Sequence, residues 1–341
     1  MKTYLDCYPC FLRQALDAAR LAGADDEQQK VVLNHAMQVL RDLDLASTPP
    51  EISDSIHRAV RQIAHGDPYR EAKDASTRQA LALYPRLTEL VAESSDPLDT
   101  AIRLSIAGNI LDMAVEQHKQ DLWGVVERVL QQPFAVDDGT AFRQALGHVN
   151  LPTASGGASG GRILLRQQRP VTVRGGGFRE RERSQEKADA TPAESGAASR
   201  LFPVKQILYL ADNTGETVFD RVLIETLDLP VIYAVKEGPI LNDATREDAI
   251  AAGLDQVAKI VSTGSDAPGT ILARCSESFQ QLYNQAKLII AKGQANYETL
   301  SAGGPRVFFL LQAKCPVIAG DLGVPLRSII LKQGSGLNTP Q

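Results

Sequence analysis

The spacing of apolar and polar residues divides the chain into a helical first part and an alternating second part. Between residues 31 and 43, and again between 52 and 63, apolar side chains recur at helical intervals. Asp96 followed by Pro97 is typical of a helix start, and we expect that helix to extend to about residue 117. A further helix is predicted over residues 122–130. These patterns predict an N-terminal α-helical domain over residues 1–148.

After residue 204, short apolar runs alternate with helical stretches. The runs lie at residues 207–210, 231–235, 260–261, 288–291 and 307–311. The helical stretches between them are expected at residues 216–227, 243–252, 270–283 and near residue 297. This alternation is typical of βα units that form a largely parallel sheet. We therefore predict a doubly wound α/β core over residues 202–332.

The segment between the two parts, residues 151–200, has a different composition. It is rich in Gly, Ser and charged residues and has few apolar ones. Such a composition buries too little apolar surface to offset chain entropy, so we expect a disordered or loosely ordered insert, in which residues 163–165 could pair as a strand. The insert is either a tolerated surface loop or a basic tether for a partner.

Charge and hydrophobicity exclude several classes of protein. The net charge is −5, which disfavours a dedicated nucleic-acid binder, and 43% of the residues are hydrophobic, enough for a sizeable core. No apolar run has the roughly 20 residues that a membrane span requires, and residues 1–10 do not resemble a signal peptide. We therefore expect a soluble, cytoplasmic protein without nucleic-acid or membrane partners.

The chain has four cysteines, Cys7, Cys10, Cys275 and Cys315. Four in a chain of this length do not indicate a disulfide scaffold, so reduced thiols are expected. Cys7 and Cys10 form a CxxC motif at the start of a helical region, which is an unusual place for a thioredoxin-type redox motif. Two interpretations of the motif remain. The thiols are packed in the protein, or they form a zinc site together with Cys275 and Cys315.

Polar residues with metal- and phosphate-binding chemistry follow the predicted strands. Asp212 and Asn213 follow the first strand, Asp243 follows the second and Lys292 ends the fourth. Ligands of open α/β sheets bind at the carboxyl ends of the strands, where these residues converge. Carboxylate and amide oxygens suit Mg²⁺ or Mn²⁺, and a lysine neutralises phosphate. Asp212 and Asn213 could also form only a turn or helix cap, and Asp243 could serve only as a helix N-cap.

A polar stripe runs along the predicted helix that begins at Pro97. Ser105, Asn109, Asp112 and Glu116 are spaced by four, three and four residues on a helix that is otherwise apolar over most of its surface. A buried stripe of this kind must be hydrogen-bonded or face a wet cleft. It therefore forms either a polar contact between helices or the far wall of a ligand cleft.

The same residues fall in five motifs that occur in a characteristic order. The motifs are Gly108-Asn109-Ile110-Leu111-Asp112, Asp212-Asn213-Thr214-Gly215-Glu216, Asn242-Asp243-Ala244-Thr245, Lys292-Gly293-Gln294-Ala295-Asn296 and Ala313-Lys314-Cys315-Pro316. With them, over residues 1–148 and 202–332, the chain resembles the metal-dependent damage-control phosphatases, and the CxxC motif resembles their prokaryotic branch.

The resemblance implies a three-layer α/β/α Rossmann-like core joined to an N-terminal helical domain. It implies that Asp212, Asn213 and Asp243 bind a divalent ion such as Mn²⁺, Co²⁺, Ni²⁺ or Mg²⁺. The expected substrates are small phosphorylated metabolites, either sugar phosphates or damaged phosphometabolites. The residues implied to line the substrate pocket are Asn109, Asp112, Lys292 and Asn296, and Glu216 is a further candidate for substrate binding.

The expected reaction is metal-assisted hydrolysis of a phosphate monoester. Lys292 neutralises the developing charge, and the nucleophile is either Asp212 or a metal-bound water that Asp243 or Glu216 positions near the substrate. A non-catalytic sensor of metal or phosphometabolites is the alternative from another class. Carboxyl methyltransfer is a further alternative, although no Gly-rich loop follows the first predicted strand.

Overall fold

The computed structural model describes residues 1–63, 67–111, 122–147 and 206–336. The predicted insert, including its 163–165 run, lies outside the described residues, as do Asp112 and Glu116. The described residues of both predicted domains belong to one compact unit, which spans Met1–Val149 and Val204–Gln341. None of the helices in the described ranges is long and apolar enough to cross a lipid bilayer.

The described helices and strands follow the predicted order of a helical part and then a βα part. The helices are α1 Cys7–Leu21, α2 Asp26–Arg41, α3 Pro49–Ile63, α4 Arg70–Glu93, α5 Pro97–Leu111, α6 Leu122–Gln131, α7 Gly139–Leu146, α8 Thr217–Thr226, α9 Arg246–Ala251, α10 Glu277–Gln285, α11 Gly293–Leu300 and α12 Pro316–Leu322. The strands are β1 Phe134–Asp137, β2 Ile207–Leu210, β3 Val231–Val235, β4 Lys259–Ser262, β5 Leu288–Lys292, β6 Val307–Gln312 and β7 Ile329–Gln333.

Within the described residues the strands form one seven-stranded sheet in the order β1-β7-β6-β5-β2-β3-β4. All neighbouring strands are parallel except β6 and β7, which are antiparallel. The predicted α/β fold with a mainly parallel sheet is confirmed. Strands β1 and β7 were not predicted, and β1 lies in the part of the chain that was expected to be wholly helical.

Both faces of the sheet are covered, which explains the near-continuous apolar runs of its central strands. Along β2 and β5, Tyr209 and Ile290 belong to a core shared with α5 and α8. Their neighbours Leu208 and Ile289 belong to a second core on the opposite face, shared with α10, α11 and α12. The arrangement is the three-layer α/β/α core expected from the resemblance.

Helix α5 packs directly on α8, the helix that follows β2. Gly108 permits this approach, because a Cβ at that position would stand 2.9 Å from the Cβ of Phe219. This is closer than packed carbon atoms tolerate. The contact brings Ser105, a described residue of the predicted polar stripe, to 3.1 Å from the hydroxyl of Tyr209 on β2. Helices α1, α2 and α3 pack around a separate apolar cluster of their own.

Two helices begin later than predicted because capping residues set their starts. Helix α9 was expected from residue 243, but Thr245 and Asp248 form a capping box and the helix begins at Arg246. Asp243 is therefore not the cap of this helix. Helix α10 was expected from residue 270, but Ser276 caps it and it begins at Glu277.

Candidate active site

The loops after β2 and β3 bring three predicted site residues together. Asp212 and Asn213 lie two and three residues beyond the end of β2, and Asn213 pairs with Asp243 in an isolated β-bridge. The backbone N–H of Ala244 donates to the carbonyl oxygen of Asp212 at 2.8 Å. These three residues are 4–7% exposed, so they are buried at the edge of the sheet rather than lying on the protein surface.

Two amide side chains hold two carboxylates side by side. The Nδ2 of Asn109, on the polar stripe of α5, donates to Asp212 Oδ2 at 3.0 Å and also to Glu216 Oε1. The Nδ2 of Asn213 donates to the same two oxygens, at 3.1 Å and 2.7 Å. The amide hydrogens that lie between the two carboxylates reduce the repulsion between them.

Lys292 lies beneath these carboxylates and has no exposed surface. Its Nζ donates to the carbonyl oxygen of Ser105 at 2.9 Å, to Glu216 Oε2 at 2.9 Å and to Asp220 Oδ1 at 2.6 Å. Burial lowers the pKa of Lys292, but Asp220 and Glu216 outweigh it and leave the pKa above its ordinary value. The ammonium group of Lys292 has three hydrogens, and these three acceptors use all of them.

Asp220 is a member of the site that the sequence analysis did not identify. Its Oδ1 accepts hydrogen bonds from Lys292, Ser105 and Tyr209, and its Oδ2 accepts one from Tyr233 at 2.8 Å. Asp220 lies in α8 among buried apolar residues. A single carboxylate on an apolar helix face was the available signal, because a buried charge requires a partner.

Lys236, directly after β3, is a second buried lysine near these carboxylates, and its role was not predicted from the sequence. It is 4% exposed, and its Nζ donates to the carbonyl oxygen of Gly269. It also lies 3.4 Å from Asp243 Oδ2 in an ion pair. That oxygen is buried and makes no hydrogen bond among the described residues. Burial raises the pKa of Asp243 above its ordinary value, although Lys236 opposes the shift.

Asn296, a predicted substrate residue, is fully buried and its amide is used by the protein. Its Nδ2 donates to the carbonyl oxygens of Ala211 at 3.0 Å and Lys292 at 2.8 Å, and its Oδ1 accepts from Thr270 at 2.7 Å. In these contacts Asn296 fixes the end of β2 against the β5–α11 junction. Asp112, the other predicted pocket residue of α5, lies outside the described residues.

The donor set fits a divalent cation with oxygen ligands. Asn109 Oδ1 and Asp243 Oδ2 are buried without hydrogen-bond partners in the described part of the chain. The two amides turn their nitrogens to carboxylates, so their oxygens are the atoms that could face a cation. Four buried carboxylates and two buried lysines leave a net charge of about −2 when all are ionised, which a dication would balance. These buried residues are Asp212, Glu216, Asp220, Asp243, Lys236 and Lys292.

A glycine makes room for the carboxylate of Asp212. A Cβ on Gly293 would stand 1.7 Å from Asp212 Oδ2, and the residue has a φ of +74°. In the described ranges, no three His, Cys, Asp or Glu side chains are grouped as a metal site. The predicted set does not require such a group, because one of its three residues is an asparagine.

The cysteines do not assemble into a four-thiol site. All four are free, and Cys275 is buried, with its thiol donating to the carbonyl oxygen of Ile271. Cys315 instead lies near the CxxC motif, close enough to affect the pKa values of Cys7 and Cys10, which burial raises. The thiols of Cys7 and Cys10 are therefore poorly ionised at neutral pH.

Comparison with known proteins gives one consistent result. The profile of the damage-control phosphatase ARMT1-like domain matches residues 3–164 and 180–330. A damage-control phosphatase of Pyrococcus horikoshii is 29% identical over 97% of both chains, and one of Archaeoglobus fulgidus is 28% identical over 96% of this chain and 97% of its own. The crystal structure of a DUF89-family protein from P. horikoshii, 27% identical, superimposes with a TM-score of 0.75 and covers 98% of this chain and 100% of its own.

Proposed function

Because this chain belongs to the damage-control phosphatase ARMT1-like family, we propose that it hydrolyses phosphate monoesters of small metabolites with the help of a divalent cation. The candidate substrates are sugar phosphates and damaged phosphometabolites, and the candidate ions are Mn²⁺, Co²⁺, Ni²⁺ and Mg²⁺. The observation that carries the proposal is the pairing of the Asp212–Asn213 loop with Asp243 at the carboxyl edge of the sheet.

We assign the ion to Asp212, Asn213 and Asp243. When bound there, a divalent ion supplies Lewis-acid polarisation of the phosphoryl oxygens and a lowered pKa for coordinated water. The unpartnered Oδ2 of Asp243 supports this assignment, because a buried carboxylate oxygen without a hydrogen bond is costly unless a ligand satisfies it.

The surrounding residues orient these ligands. Asn109 fixes Asp212 and Glu216 through its Nδ2. Both oxygens of Glu216 are hydrogen-bonded, one to the two amides and one to Lys292, so we assign Glu216 to orientation rather than to proton transfer. Lys292 was expected to contact phosphate directly, and this stays a prediction. Its observed contacts support a role in balancing the charges of Glu216 and Asp220.

Phosphate release from a panel of phosphorylated metabolites tests the proposal. Each ester would be incubated with Mg²⁺, Mn²⁺, Co²⁺ or Ni²⁺, and with a chelator as the control. We expect turnover with at least one ion and none with the chelator. Tight binding of ion and ester without turnover would instead support the sensor alternative.

The nucleophile can be identified in the same system. Direct attack by water leaves no covalent intermediate, whereas attack by Asp212 on the phosphorus expels the alcohol and forms a phosphoaspartyl group, whose phosphorus water then attacks. Borohydride reduction of enzyme quenched during turnover converts a phosphoaspartyl group at Asp212 into homoserine, which mass spectrometry of the peptide detects, and absence of this product supports direct attack by water.

A further inference from the structure

Three buried lysines in the described residues contact carboxylates, and their geometries differ. Lys292 lies 2.9 Å from Glu216 and 2.6 Å from Asp220. Lys73 lies 3.0 Å from Asp248 and 3.1 Å from Asp67. These are hydrogen-bond distances, as expected of lysines that stabilise buried carboxylates.

Lys236 does not follow this pattern. Its Nζ lies 3.4 Å from Asp243 Oδ2, and that oxygen has no hydrogen bond within the described residues. The Nζ donates to the carbonyl oxygen of Gly269. An ammonium group has three hydrogens, so this lysine keeps donor capacity beside a carboxylate that keeps acceptor capacity.

The backbone holds Lys236 in this position. Its N–H donates to the carbonyl oxygen of Ala244 at 2.9 Å, and it pairs with Thr245 in an isolated bridge. The loop that carries Gly269 packs closely on α11, since a Cβ on that glycine would stand 2.5 Å from the carbonyl oxygen of Ala295. The long distance between Lys236 and Asp243 therefore occurs where backbone hydrogen bonds and close packing restrict the position of the lysine.

We propose that Lys236 binds the phosphoryl group of the substrate, an inference that rests on the proposed phosphatase function. A phosphoryl oxygen that enters beside Asp243 accepts a hydrogen bond from the Lys236 ammonium, which neutralises negative charge as phosphate-binding lysines do. Lys236 thus makes the kind of contact that the sequence suggested for Lys292. Asp243 keeps its oxygen for the cation.

The test measures phosphate and the cation separately. Inorganic phosphate would be titrated into wild type and Lys236→Met by calorimetry with saturating Mn²⁺, and Mn²⁺ would be titrated without phosphate. We expect phosphate to bind at least tenfold more weakly to the variant. Mn²⁺ should bind equally well or more tightly, because a positive charge beside Asp243 is removed. Lys259→Met, at an exposed position of β4, is the matched control and should change neither.

The outcomes separate the inference from the proposed function. Unchanged phosphate affinity in Lys236→Met would overturn the inference. A parallel loss of Mn²⁺ affinity would also overturn it, because that result would indicate that the lysine only positions Asp243. Absence of turnover in wild type would overturn the proposed function, whereas the phosphate titration still reports on Lys236. Lys236→Gln, which keeps an uncharged donor, serves if the Met variant does not fold, with the same expectations. Lys236→Arg should recover part of the phosphate affinity.

Discussion

At the scale of single residues, the site depends on charges that are buried in pairs. Asp220 accepts hydrogen bonds from a lysine, a serine and two tyrosines, so it is both fully satisfied and fixed. Asp243, on the neighbouring loop, keeps an oxygen without a hydrogen bond. This difference separates a carboxylate that supports the site from one that is available for chemistry.

We predict that Asp243→Asn abolishes phosphatase activity while the protein remains folded. The substitution keeps the shape of the side chain and removes a cation ligand, and it also reduces repulsion among the carboxylates. Activity should fall at least a hundredfold, and the melting temperature should be equal to or above that of wild type. Asp228→Asn, at an exposed position, is the control and should resemble wild type in both measurements. Activity of Asp243→Asn within about threefold of wild type would contradict the assignment.

His57 provides a prediction about pH. Burial, reinforced by nearby Arg61 and opposed by Asp54, lowers its pKa from 6.5 to about 4. Between these values the unfolded chain holds more protons than the folded protein. Stability therefore falls as the pH drops below about 6.5, and this loss levels off below about 4.

Replacing His57 by Gln should remove this dependence. The unfolding free energy of wild type relative to His57→Gln should decrease by about 3 kcal/mol between pH 7 and pH 4. Chemical denaturation of both proteins at several pH values measures the difference. A difference that stays constant with pH would show that His57 is not the titrating group.

At the scale of secondary structure elements, the junction of β5 and α11 determines whether Asp212 fits. Gly293 combines a φ of +74° with the 1.7 Å approach of Asp212 Oδ2. We predict that Gly293→Ala costs stability and also displaces Asp212, so thermal unfolding and activity should both decline. Gly304 has a φ of +83° with nothing within 4 Å, so Gly304→Ala incurs only the backbone strain of about 1 kcal/mol. Equal activity in the two variants would contradict the prediction.

The elements that sequence predicted well are those whose signal is local. Strands β2, β3, β5 and β6 are buried on both faces, so their apolar runs are continuous and their positions could be identified. Strand β1 alternates between half-buried and exposed residues over only four positions, which gives a weak signal. The start of α9 depended on the capping box of Thr245 and Asp248, which a search for apolar periodicity passes over.

The candidate site could likewise be predicted only in part from the sequence. The position of Asp212, Asn213 and Asp243 follows from the rule that polar residues after parallel strands converge at one edge. The roles of Asp220 and Lys236 depend on which helix and loop pack against that edge. Such long-range packing has no counterpart in the local pattern, so these residues emerged only from the structure.

At the scale of the whole molecule, the sheet and the candidate site are built from residues on both sides of the 151–200 segment. Its low hydrophobicity predicts that it contributes little to the core. We predict that replacing residues 155–198 by a short Gly/Ser linker leaves the melting temperature and turnover close to those of wild type. Differential scanning calorimetry and the phosphate-release assay measure these. A variant that no longer folds would show that the segment packs on the rest of the protein.

The contacts of Lys292 have a consequence for the order in which the protein forms during translation. Glu216 and Asp220 precede their lysine by 76 and 72 residues, and Ser105 precedes it by 187. At about 5–20 residues per second, the ribosome therefore adds Lys292 several seconds after the two carboxylates. Until then Asp220 and Glu216 lack the ammonium group that makes their burial favourable, so we expect α8 to remain exposed to solvent. The arrival of one lysine thus sets the earliest moment at which the interior of the nascent protein can close.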